Sequence, residues 1–313
     1  MKPLKTKHFI CLQDLSADEI RMVLGLTKKL KRFHRTGRRY QPLRGKVLAM
    51  IFSKSSTRTR ISFEAGIYQL GGYGIFLNAN DLQLGRGESV QDTARVMSRF
   101  VDGIMIRTFS QKEVEILARE ATVPVINGLT DFLHPCQILS DLFTISEFKP
   151  IDRNLHVLYI GDGNNVANSW LTAAVILGFR MTFITPERYG LSQEIFDYTG
   201  LSRQNLPDNI RVHTEIPPEA VSSADIIYTD VWVSMGQEKE KEERLKVFRP
   251  YQLNAGLLGR AKPGARVMHC LPAHRGDEIT DEVMNSPASI VFDQAENRLN
   301  LQKTLMALLM NRR

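Results

Sequence analysis

The stretch that decides the fold is residues 47–60, which read V-L-A-M-I-F-S-K-S-S-T-R-T-R. Its first part is an uninterrupted apolar run, which is typical of a strand buried on both faces of a parallel sheet. Its second part, 53–60, holds five hydroxyl side chains, three cationic ones and no acidic residue. A helix is predicted from about Thr57. The stretch therefore predicts a buried strand that opens into a helix N-terminus rich in hydrogen-bond donors.

Strands and helices alternate along the whole chain, which predicts βαβ units and parallel sheets. A polar, turn-rich segment at 150–154, P-I-D-R-N, marks the expected boundary between two halves. We therefore predict an α/β fold with two similar-sized domains, each a parallel sheet flanked by helices, and an active site in the interdomain cleft. The predicted domains are 1–149 and 150–294, and residues 295–313 are expected to form a C-terminal helix that packs back on the first domain.

Ten strands are predicted, and polar residues follow several of them. Ligands of open parallel sheets bind beyond the carboxyl ends of the strands, so these polar residues are the candidates for a functional site. The predicted strands are Val47 to Ile51, Tyr73 to Leu77, Gly103 to Ile106, Val123 to Ile126, His156 to Ile160, Met181 to Ile184, one at Val212, Asp225 to Thr229, Arg266 to Met268 and Ile290 to Phe292.

The formal net charge of +7 on 313 residues requires nucleic-acid binding to be weighed. The densest basic segment, 28–32, falls on a predicted amphipathic helix, where a solvated helix face is the simpler interpretation. No zinc-finger spacing or ribonucleoprotein motif accompanies it, so we expect no nucleic-acid partner. The three cysteines are far apart, which argues against a disulfide framework. No apolar stretch approaches the roughly 20 residues of a membrane span. We expect a cytoplasmic protein with no membrane partner.

Residues Ser56 to Thr59 lie where the first strand gives way to a helix. Free backbone N–H groups and the positive end of the helix dipole attract anions at such a point. A helix cap needs one hydroxyl, whereas four donor side chains are consecutive here, so we predict a phosphate site. Arg107 follows another strand end, and its forked guanidinium group suits the same anion, although this residue alone is weak evidence.

His134 and Gln137 lie one helical turn apart at a predicted helix start, so their side chains point the same way. An imidazole and a carboxamide together suit a small amide or carbonyl group. Without the other motifs, however, a helix start that happens to carry a histidine is the favoured interpretation.

The second half contains a glycine-rich turn and two further candidates at strand ends. Gly161-Asp162-Gly163 invites a dinucleotide-binding interpretation, but the third glycine and the later acidic residue are missing, so we reject NAD. Asn165 offers an amide for the carboxylate or amine of a zwitterion. Asp230 is either the partner of a substrate ammonium or a turn aspartate. Cys270 has three interpretations: an inert buried cysteine, a nucleophile, or a thiolate that polarises a substrate amine.

Four segments together carry a family resemblance: S-S-T-R-T-R at 55–60, H-P-C-Q at 134–137, D-V-W-V-S-M-G at 230–236 and H-C-L-P-A-H-R-G at 269–276. They occur in order over the full length, and the sequence closely resembles the ornithine carbamoyltransferases. The first two segments are shared by the wider carbamoyltransferase superfamily. S-M-G together with H-C-L-P separates ornithine enzymes from aspartate enzymes.

The resemblance implies transfer of the carbamoyl group of carbamoyl phosphate to the δ-amine of L-ornithine, giving L-citrulline and phosphate, with no cofactor and no metal. The implied catalytic residues are Arg58, Arg107, His134, Cys270 and Arg298. The implied carbamoyl phosphate site is Ser56, Thr57, Arg58, Thr59, Gln83, Arg107, His134, Gln137, Cys270, Leu271 and Arg298. The implied ornithine site is Asn165, Asp230, Ser234 and Met235.

Gln83 is similar to a loop residue that reaches a neighbouring subunit's active site, so the resemblance also implies a homotrimer. Transfer to another amine, such as putrescine or an acylated ornithine, is the nearest alternative within the class. A phosphate-sensing or nucleic-acid-binding protein on a retained fold is the alternative from another class. The direction of arginine metabolism, biosynthetic or catabolic, does not follow from the sequence.

Overall fold

The computed structural model describes residues 3–83, 87–234 and 236–311. Contacts between residues divide the chain into two units, one formed by Met1–Phe143 with Glu296–Arg313 and the other by Thr144–Ala295. The domain limits expected from the sequence, 1–149, 150–294 and 295–313, stay a prediction.

The first unit alternates strands with helices, as the sequence pattern predicts. Its elements in chain order are α1 (Ala17–Arg35), β1 (Val47–Phe52), α2 (Thr57–Gln69), β2 (Tyr73–Asn78), α3 (Val90–Met97), β3 (Gly103–Arg107), α4 (Gln111–Glu120), β4 (Val125–Leu129) and α5 (Pro135–Ser146). The last residues of α5 belong to the second unit.

The strands described in the first unit form one parallel sheet in the order β2-β1-β3-β4. β1 is an inner strand, and its segment 48–51 is almost completely buried, as the apolar run predicts. Phe52 at the end of β1 stands beside Arg107 at the end of β3. Because the strands are parallel, their carboxyl ends share one edge of the sheet, and the start of α2 and the side chain of Arg107 are both placed at that edge.

The second unit repeats the alternation around another parallel sheet, in the order β7-β6-β5-β8-β9. Its elements are β5 (His156–Ile160), α6 (Asn165–Leu177), β6 (Arg180–Ile184), α7 (Gln193–Thr199), β7 (Ile210–His213), α8 (Pro218–Ser223), β8 (Ile226–Thr229), α9 (Lys241–Phe248), α10 (Ala255–Leu258), β9 (Arg266–His269), α11 (Asp281–Met284) and α12 (Val291–Met310). From Glu296 onward α12 belongs to the first unit. The predicted α/β class with two parallel sheets is confirmed.

The strand predicted at Ile290 to Phe292 is wrong. α12 begins at Val291, and the nearby Ser289 makes only an isolated bridge to Val267. A short apolar run such as I-V-F does not distinguish a strand from a helix by periodicity. The 68% exposure of Phe292 fits a helix start that is not buried in a sheet. Among the described residues, no helix has the length and apolar character to cross a membrane.

Candidate active site

Ser56 is the N-cap residue of α2. The Ser56 hydroxyl accepts a hydrogen bond from the Thr59 backbone N–H at 3.2 Å and donates one to the Thr59 hydroxyl at 3.1 Å. The first turn of this helix, all of it described, carries no acidic side chain. The positive end of the helix dipole is therefore left for an anion from outside the chain.

Thr59 connects this helix start to α12. Its side chain is fully buried, and its hydroxyl accepts a hydrogen bond from Arg298 Nη2 at 2.9 Å. Arg298 is only 3% exposed. Electrostatic interactions are stronger away from water, so this buried guanidinium group adds substantially to the positive potential at the start of α2.

His134 lies directly before α5 and is buried in a positively charged environment. Burial lowers the pKa of His134 well below its usual value, and the charges of Arg298, Arg107 and Arg58 lower it further. The imidazole is therefore neutral at physiological pH. Three guanidinium groups around a neutral imidazole suit a ligand that combines a phosphate with an uncharged carbonyl group.

Gln137 presents an unpaired carbonyl oxygen one turn further along α5. Its Nε2 donates to Asp141 Oδ1 at 2.8 Å, whereas its buried Oε1 has no hydrogen-bond partner among the described residues. A buried acceptor without a donor costs free energy, so the amino group of a ligand would stabilise it. Asp141 sets this orientation of the amide, and sequence reasoning missed it because a buried aspartate inside an apolar helix has no motif to mark it.

A groove of about 760 Å³ opens beside the N-terminus of α2. Ser56 and Thr57 contribute to its wall, as does Arg60, whose guanidinium group stacks on the Phe76 ring at 3.7 Å. The hydroxyl-rich segment therefore borders open space that a small ligand can enter. The groove lies on the side of α2 that carries Arg60 and Glu64, and Arg58, Arg107 and His134 are not among its described lining residues.

Asp230 follows β8 in the second unit and is held by three hydrogen-bond donors. Its Oδ1 accepts from the Val231 backbone N–H at 2.8 Å and from Cys270 Sγ at 2.8 Å, and its Oδ2 accepts from Asn164 Nδ2 at 2.7 Å. The side chain is 4% exposed. A carboxylate fixed in this way is oriented for a cationic or polar ligand group, which a mobile turn aspartate is not.

Asn164 is the N-cap of α6, and Asn165 is the first residue of that helix. The Asn164 Oδ1 accepts hydrogen bonds from the backbone N–H groups of Val166 and Ala167, which leaves its amide nitrogen to reach Asp230. Sequence reasoning selected Asn165 and missed Asn164. The capping geometry, which depends on one residue's backbone angles, turns the amide nitrogen of Asn164 toward the carboxylate.

The loop after β9 is anchored by a buried histidine and glutamate. His269 Nδ1 accepts from the Leu271 backbone N–H at 2.9 Å, and its Nε2 lies 3.0 Å from Glu278 Oε1, so Nε2 carries the proton. Glu278 is fully buried and also accepts from the His274 backbone N–H at 2.6 Å. These bonds hold Leu271 at φ 58°, a left-handed conformation that is unfavourable for a leucine, and so fix the direction of its carbonyl group.

Three side chains that could bind a metal lie close together in the second unit. One ligand atom from each of Asp230, His269 and Cys270 lies within 4.8 Å of the other two. Both ring nitrogens of His269 are already engaged, one by a backbone N–H and the other by Glu278. The thiol of Cys270 is likewise bonded to Asp230. The group is therefore satisfied by hydrogen bonds within the chain.

Two features explain the Gly161-Asp162-Gly163 turn: Gly163 packs against the Gly190 backbone, and Asp162 forms an ion pair with Arg244. A Cβ atom on Gly163 would lie 2.4 Å from the Gly190 backbone, so the glycine permits a close approach of two chain segments. Burial raises the pKa of Asp162 to about 7, although Arg244 lies 2.5 Å away and lowers it. Arg244 also donates to the Trp232 carbonyl at 2.6 Å, so it ties this turn to the loop after β8.

The structure describes Ser234 and Gln83 of the implied site, but the contacts it gives for them do not indicate a role in binding. Ser234 is partly buried, and its backbone N–H donates to Gln237 Oε1 at 3.0 Å. The side chain of Gln83 is exposed. Met235 lies outside the described residues, and its role stays a prediction.

The two parallel sheets, each with polar groups at its strand ends, define an α/β protein of two units whose polar groups suit small charged ligands. The model of the aspartate/ornithine carbamoyltransferase carbamoyl-P binding domain matches residues 7–147, and that of the Asp/Orn binding domain matches residues 153–309. The chain belongs to the aspartate/ornithine carbamoyltransferase family.

Relatives within that family at about 50% identity are named ornithine carbamoyltransferases. The chain is 54% identical to the ornithine carbamoyltransferase of Syntrophus aciditrophicus, over 97% of this chain and 99% of that protein. It is 53% identical to the ornithine carbamoyltransferase of Thermococcus kodakarensis, over 98% of this chain and 97% of that protein. The structure of the Pyrococcus furiosus ornithine carbamoyltransferase superposes with a TM-score of 0.90, at 50% identity and 99% coverage of both chains.

Proposed function

We propose that this chain transfers the carbamoyl group of carbamoyl phosphate to the δ-amine of L-ornithine, giving L-citrulline and phosphate. The observation that carries the proposal is the neutral His134 among three arginines, beside the unpaired Oε1 of Gln137. This arrangement provides positive charge for a phosphate and uncharged polar groups for an amide in one place. The ornithine carbamoyltransferase names of its relatives at 54% and 53% identity support ornithine as the acceptor.

In the first unit, carbamoyl phosphate is the proposed ligand. Its phosphate lies at the start of α2, bound by the backbone N–H groups and by Ser56, Thr57, Arg58, Thr59 and Arg107. Thr59, Arg107 and His134 donate to the carbamoyl oxygen, and Gln137 Oε1 accepts from the carbamoyl NH2. Arg298, already bonded to Thr59, contributes to the same oxygen. Preorganised donors of this kind stabilise a developing oxyanion by about 3 kcal/mol each.

In the second unit, ornithine is the proposed ligand. Asp230 and Cys270 bind the side-chain amine, and Asn165, Ser234 and Met235 bind the amino-acid end. The hydrogen bonds from Asn164 and Cys270 keep the Asp230 carboxylate in one orientation. The fixed carbonyl of Leu271 accepts from the carbamoyl NH2 during transfer.

The proposed reaction is an acyl transfer without a covalent enzyme intermediate. The δ-amine, which has an ordinary pKa near 10.4, loses its proton and attacks the carbamoyl carbon, forming the C–N bond. A tetrahedral oxyanion then collapses, the C–O bond to phosphate breaks, and the amine gives up its second proton. The arginines and the helix N-terminus hold the charge of the departing phosphate. Activity is therefore expected to rise toward alkaline pH.

An acceptor panel tests this proposal. The purified protein is mixed with carbamoyl phosphate and, in separate reactions, with L-ornithine, putrescine and N-acetylornithine, and the carbamoylated products are measured. L-Citrulline is expected as the main product. A preference for putrescine or N-acetylornithine would show that the acceptor is not ornithine, although the reaction is still carbamoyl transfer. If no amine gives a product, the proposal of carbamoyl transfer is rejected.

We further propose a homotrimer in which Gln83 of one subunit reaches the active site of its neighbour. β2 is an edge strand, and several apolar side chains on it and on α2 are exposed, including Tyr73 at 68%, Tyr68 at 78% and Ile61 at 58%. An exposed apolar face beside an unpaired sheet edge is typical of a subunit interface. Light scattering coupled to size-exclusion chromatography should give three times the chain mass, and a monomeric mass would contradict the proposal.

We also propose a cytoplasmic, biosynthetic enzyme. The relatives from Pyrococcus furiosus and Campylobacter jejuni are named anabolic, which supports that direction. The cysteines Cys11, Cys136 and Cys270 are free thiols, which is consistent with a reducing compartment. Growth without arginine of a strain that lacks its own ornithine carbamoyltransferase, restored by this chain, is the expected outcome. Failure of an active protein to restore growth would argue against the biosynthetic direction.

A further inference from the structure

A second pocket of the first unit, of about 280 Å³, lies at the opposite end of α2 from the proposed phosphate site. Gln69, the last residue of α2, lines it, so it is separated from the N-terminus by the length of a 13-residue helix, about 20 Å. The C-terminal end of α1 and the segment after it form the rest of the wall together with Lys303 of α12. Nothing in the proposed carbamoyl transfer uses this pocket.

Lys303 is a buried cation without a described ion pair. Its side chain is 4% exposed, and its Nζ donates to Gln69 Oε1 at 2.8 Å, a neutral partner. The nearby Glu296 pairs instead with Arg35 at 3.5 Å. Burial lowers the pKa of Lys303 to about 8, with Glu296 opposing this only in part. A buried ammonium group with so little compensation favours a negatively charged partner.

More positive charge surrounds the pocket. His34, Arg38 and Arg39 line it, and none of its described lining residues is acidic. The Arg38 guanidinium group stacks on the Phe33 ring at 4.2 Å, so one of these cations is held against the pocket wall. A stacked guanidinium group keeps its edge free for a bidentate contact to an oxyanion.

These cations are not needed to cap the helix ends nearby. The last carbonyl groups of α1 already accept backbone hydrogen bonds from Thr36, Gly37 and Arg38, and those of α2 accept from Leu70 and Gly71. Most of the orphan carbonyl groups that basic side chains commonly satisfy at a helix C-terminus therefore have backbone partners at these two helix ends.

We propose that this pocket binds a small oxyanion of the phosphate or carboxylate class, with the ammonium group of Lys303 at its floor and the guanidinium group of Arg38 at its rim. A water molecule occupies about 30 Å³ in the liquid, so the volume holds a phosphate group together with a small organic part. The site is separate from the Ser56–Thr59 segment, and the proposal does not depend on carbamoyl transfer.

Calorimetric titration of the full-length protein with inorganic phosphate tests the proposal. Because phosphate is also expected at the start of α2, the titration is done in the Arg58→Gln variant, at constant ionic strength. A phosphate site that Arg58→Gln does not weaken is expected, and Lys303→Met and Arg38→Gln should each weaken it at least about tenfold, since a hydrogen bond to a charged group contributes about 1.5–3 kcal/mol. Lys28→Met, which removes the same charge from an exposed position on α1, should leave it unchanged.

Proton uptake by Lys303 on anion binding provides a second measurement. A nonspecific loss of positive charge in the variants would not change it. A bound anion raises the pKa of Lys303 from about 8, so binding at pH 8 should take up a fraction of a proton. Titrations in two buffers of different ionisation heat measure this uptake, which should disappear in Lys303→Met. A parallel titration with acetate separates a carboxylate site from a phosphate site.

The proposal is overturned if neither phosphate nor acetate binds in the Arg58→Gln background. It is also overturned if both pocket variants bind like Lys28→Met. Arg38 lies on the exposed rim, so Arg38→Gln decides the question even if Lys303→Met fails to fold.

Discussion

The Cys270 thiol donates a hydrogen bond to the Asp230 carboxylate at 2.8 Å, although the two residues are 40 positions apart in the chain. The cysteine is partly exposed, whereas Cys11 and Cys136 are buried. The sequence leaves three interpretations open for Cys270, one of them a thiolate that polarises a substrate amine. The contact places the sulfur beside Asp230, where that interpretation expects it, but as a protonated thiol that donates to the carboxylate. It gives no support to an inert buried cysteine.

Cys270→Ala should therefore raise the KM for ornithine by about tenfold or more, because a hydrogen bond to a charged group is lost. The KM for carbamoyl phosphate should change little. Steady-state kinetics with each substrate varied in turn measures both values. Cys11→Ala is the matched control and should change neither. Equal losses for both substrates would show that Cys270 is structural.

Asn164→Ser should weaken ornithine use by about tenfold while leaving stability almost unchanged. Serine keeps an N-cap acceptor for α6 but loses the amide donor to Asp230. Asn164→Ala should show the same kinetic defect and lose, in addition, about 1 kcal/mol of unfolding free energy, because the cap is removed. Urea unfolding and ornithine kinetics of the two variants separate the two roles. Normal kinetics in Asn164→Ser would exclude the positioning role.

Arg58→Gln should reduce kcat by about 10²–10³-fold, as expected when a preorganised donor to developing charge is removed. Arg60→Gln is the matched control, because Arg60 pairs with Glu64 on the exposed side of the same helix. It should keep activity within about threefold, since exposed pairs contribute little. Comparable losses in the two variants would mean that α2, and not the Arg58 guanidinium group, is what the reaction requires.

Glu278→Ala should lower kcat by about tenfold or more, since it removes the acceptor that holds His269 and, through it, Leu271. Glu278→Gln keeps a carbonyl oxygen at the same place and should restore most of the activity. Thermal unfolding is recorded for both variants. If the glutamine variant is as inactive as the alanine variant although it is folded, the charge of Glu278 matters and not its positioning of the loop.

His156 should make the protein less stable in acid. Burial is the main cause that lowers its folded-state pKa from 6.5 to about 4, and Arg180 adds to it. Because the folded-state pKa lies below the unfolded one, the contribution to stability is complete above pH 6.5 and is lost as pH falls toward 4. This difference between the folded-state and unfolded-state pKa of His156 contributes up to about 3 kcal/mol to the free energy of unfolding.

His156→Gln should therefore show a flatter dependence of unfolding free energy on pH between 6.5 and 4 than the wild type. The imidazole contacts the Thr182 and Ser223 hydroxyls, and glutamine can replace one of these bonds. His213→Gln, at the partly exposed end of β7, is the control. Parallel pH profiles for wild type and His156→Gln would contradict the prediction.

The local features of this protein are determined by the sequence alone. The apolar run at 47–51 specifies a doubly buried strand, and the hydroxyl groups that follow specify a capped helix N-terminus. Both depend on residues within a few positions of one another, so backbone geometry and short-range hydrogen bonds suffice. The family motifs likewise identify the candidate site residues, because each is a short contiguous segment.

The tertiary structure decided what depends on distant residues or on a single backbone angle. Arg298 reaches Thr59 across 239 positions, and Asn164 reaches Asp230 across 66. No periodicity records such pairs, since the first forms only when helices α2 and α12 pack together and the second only when two strands bring their ends to one edge of a sheet. The same holds for the neutral state of His134, which depends on burial and on three arginines from separate parts of the chain. The short run at Ile290 to Phe292 was ambiguous because so few apolar residues fit a strand and a helix equally well, and it proved to be the start of a helix.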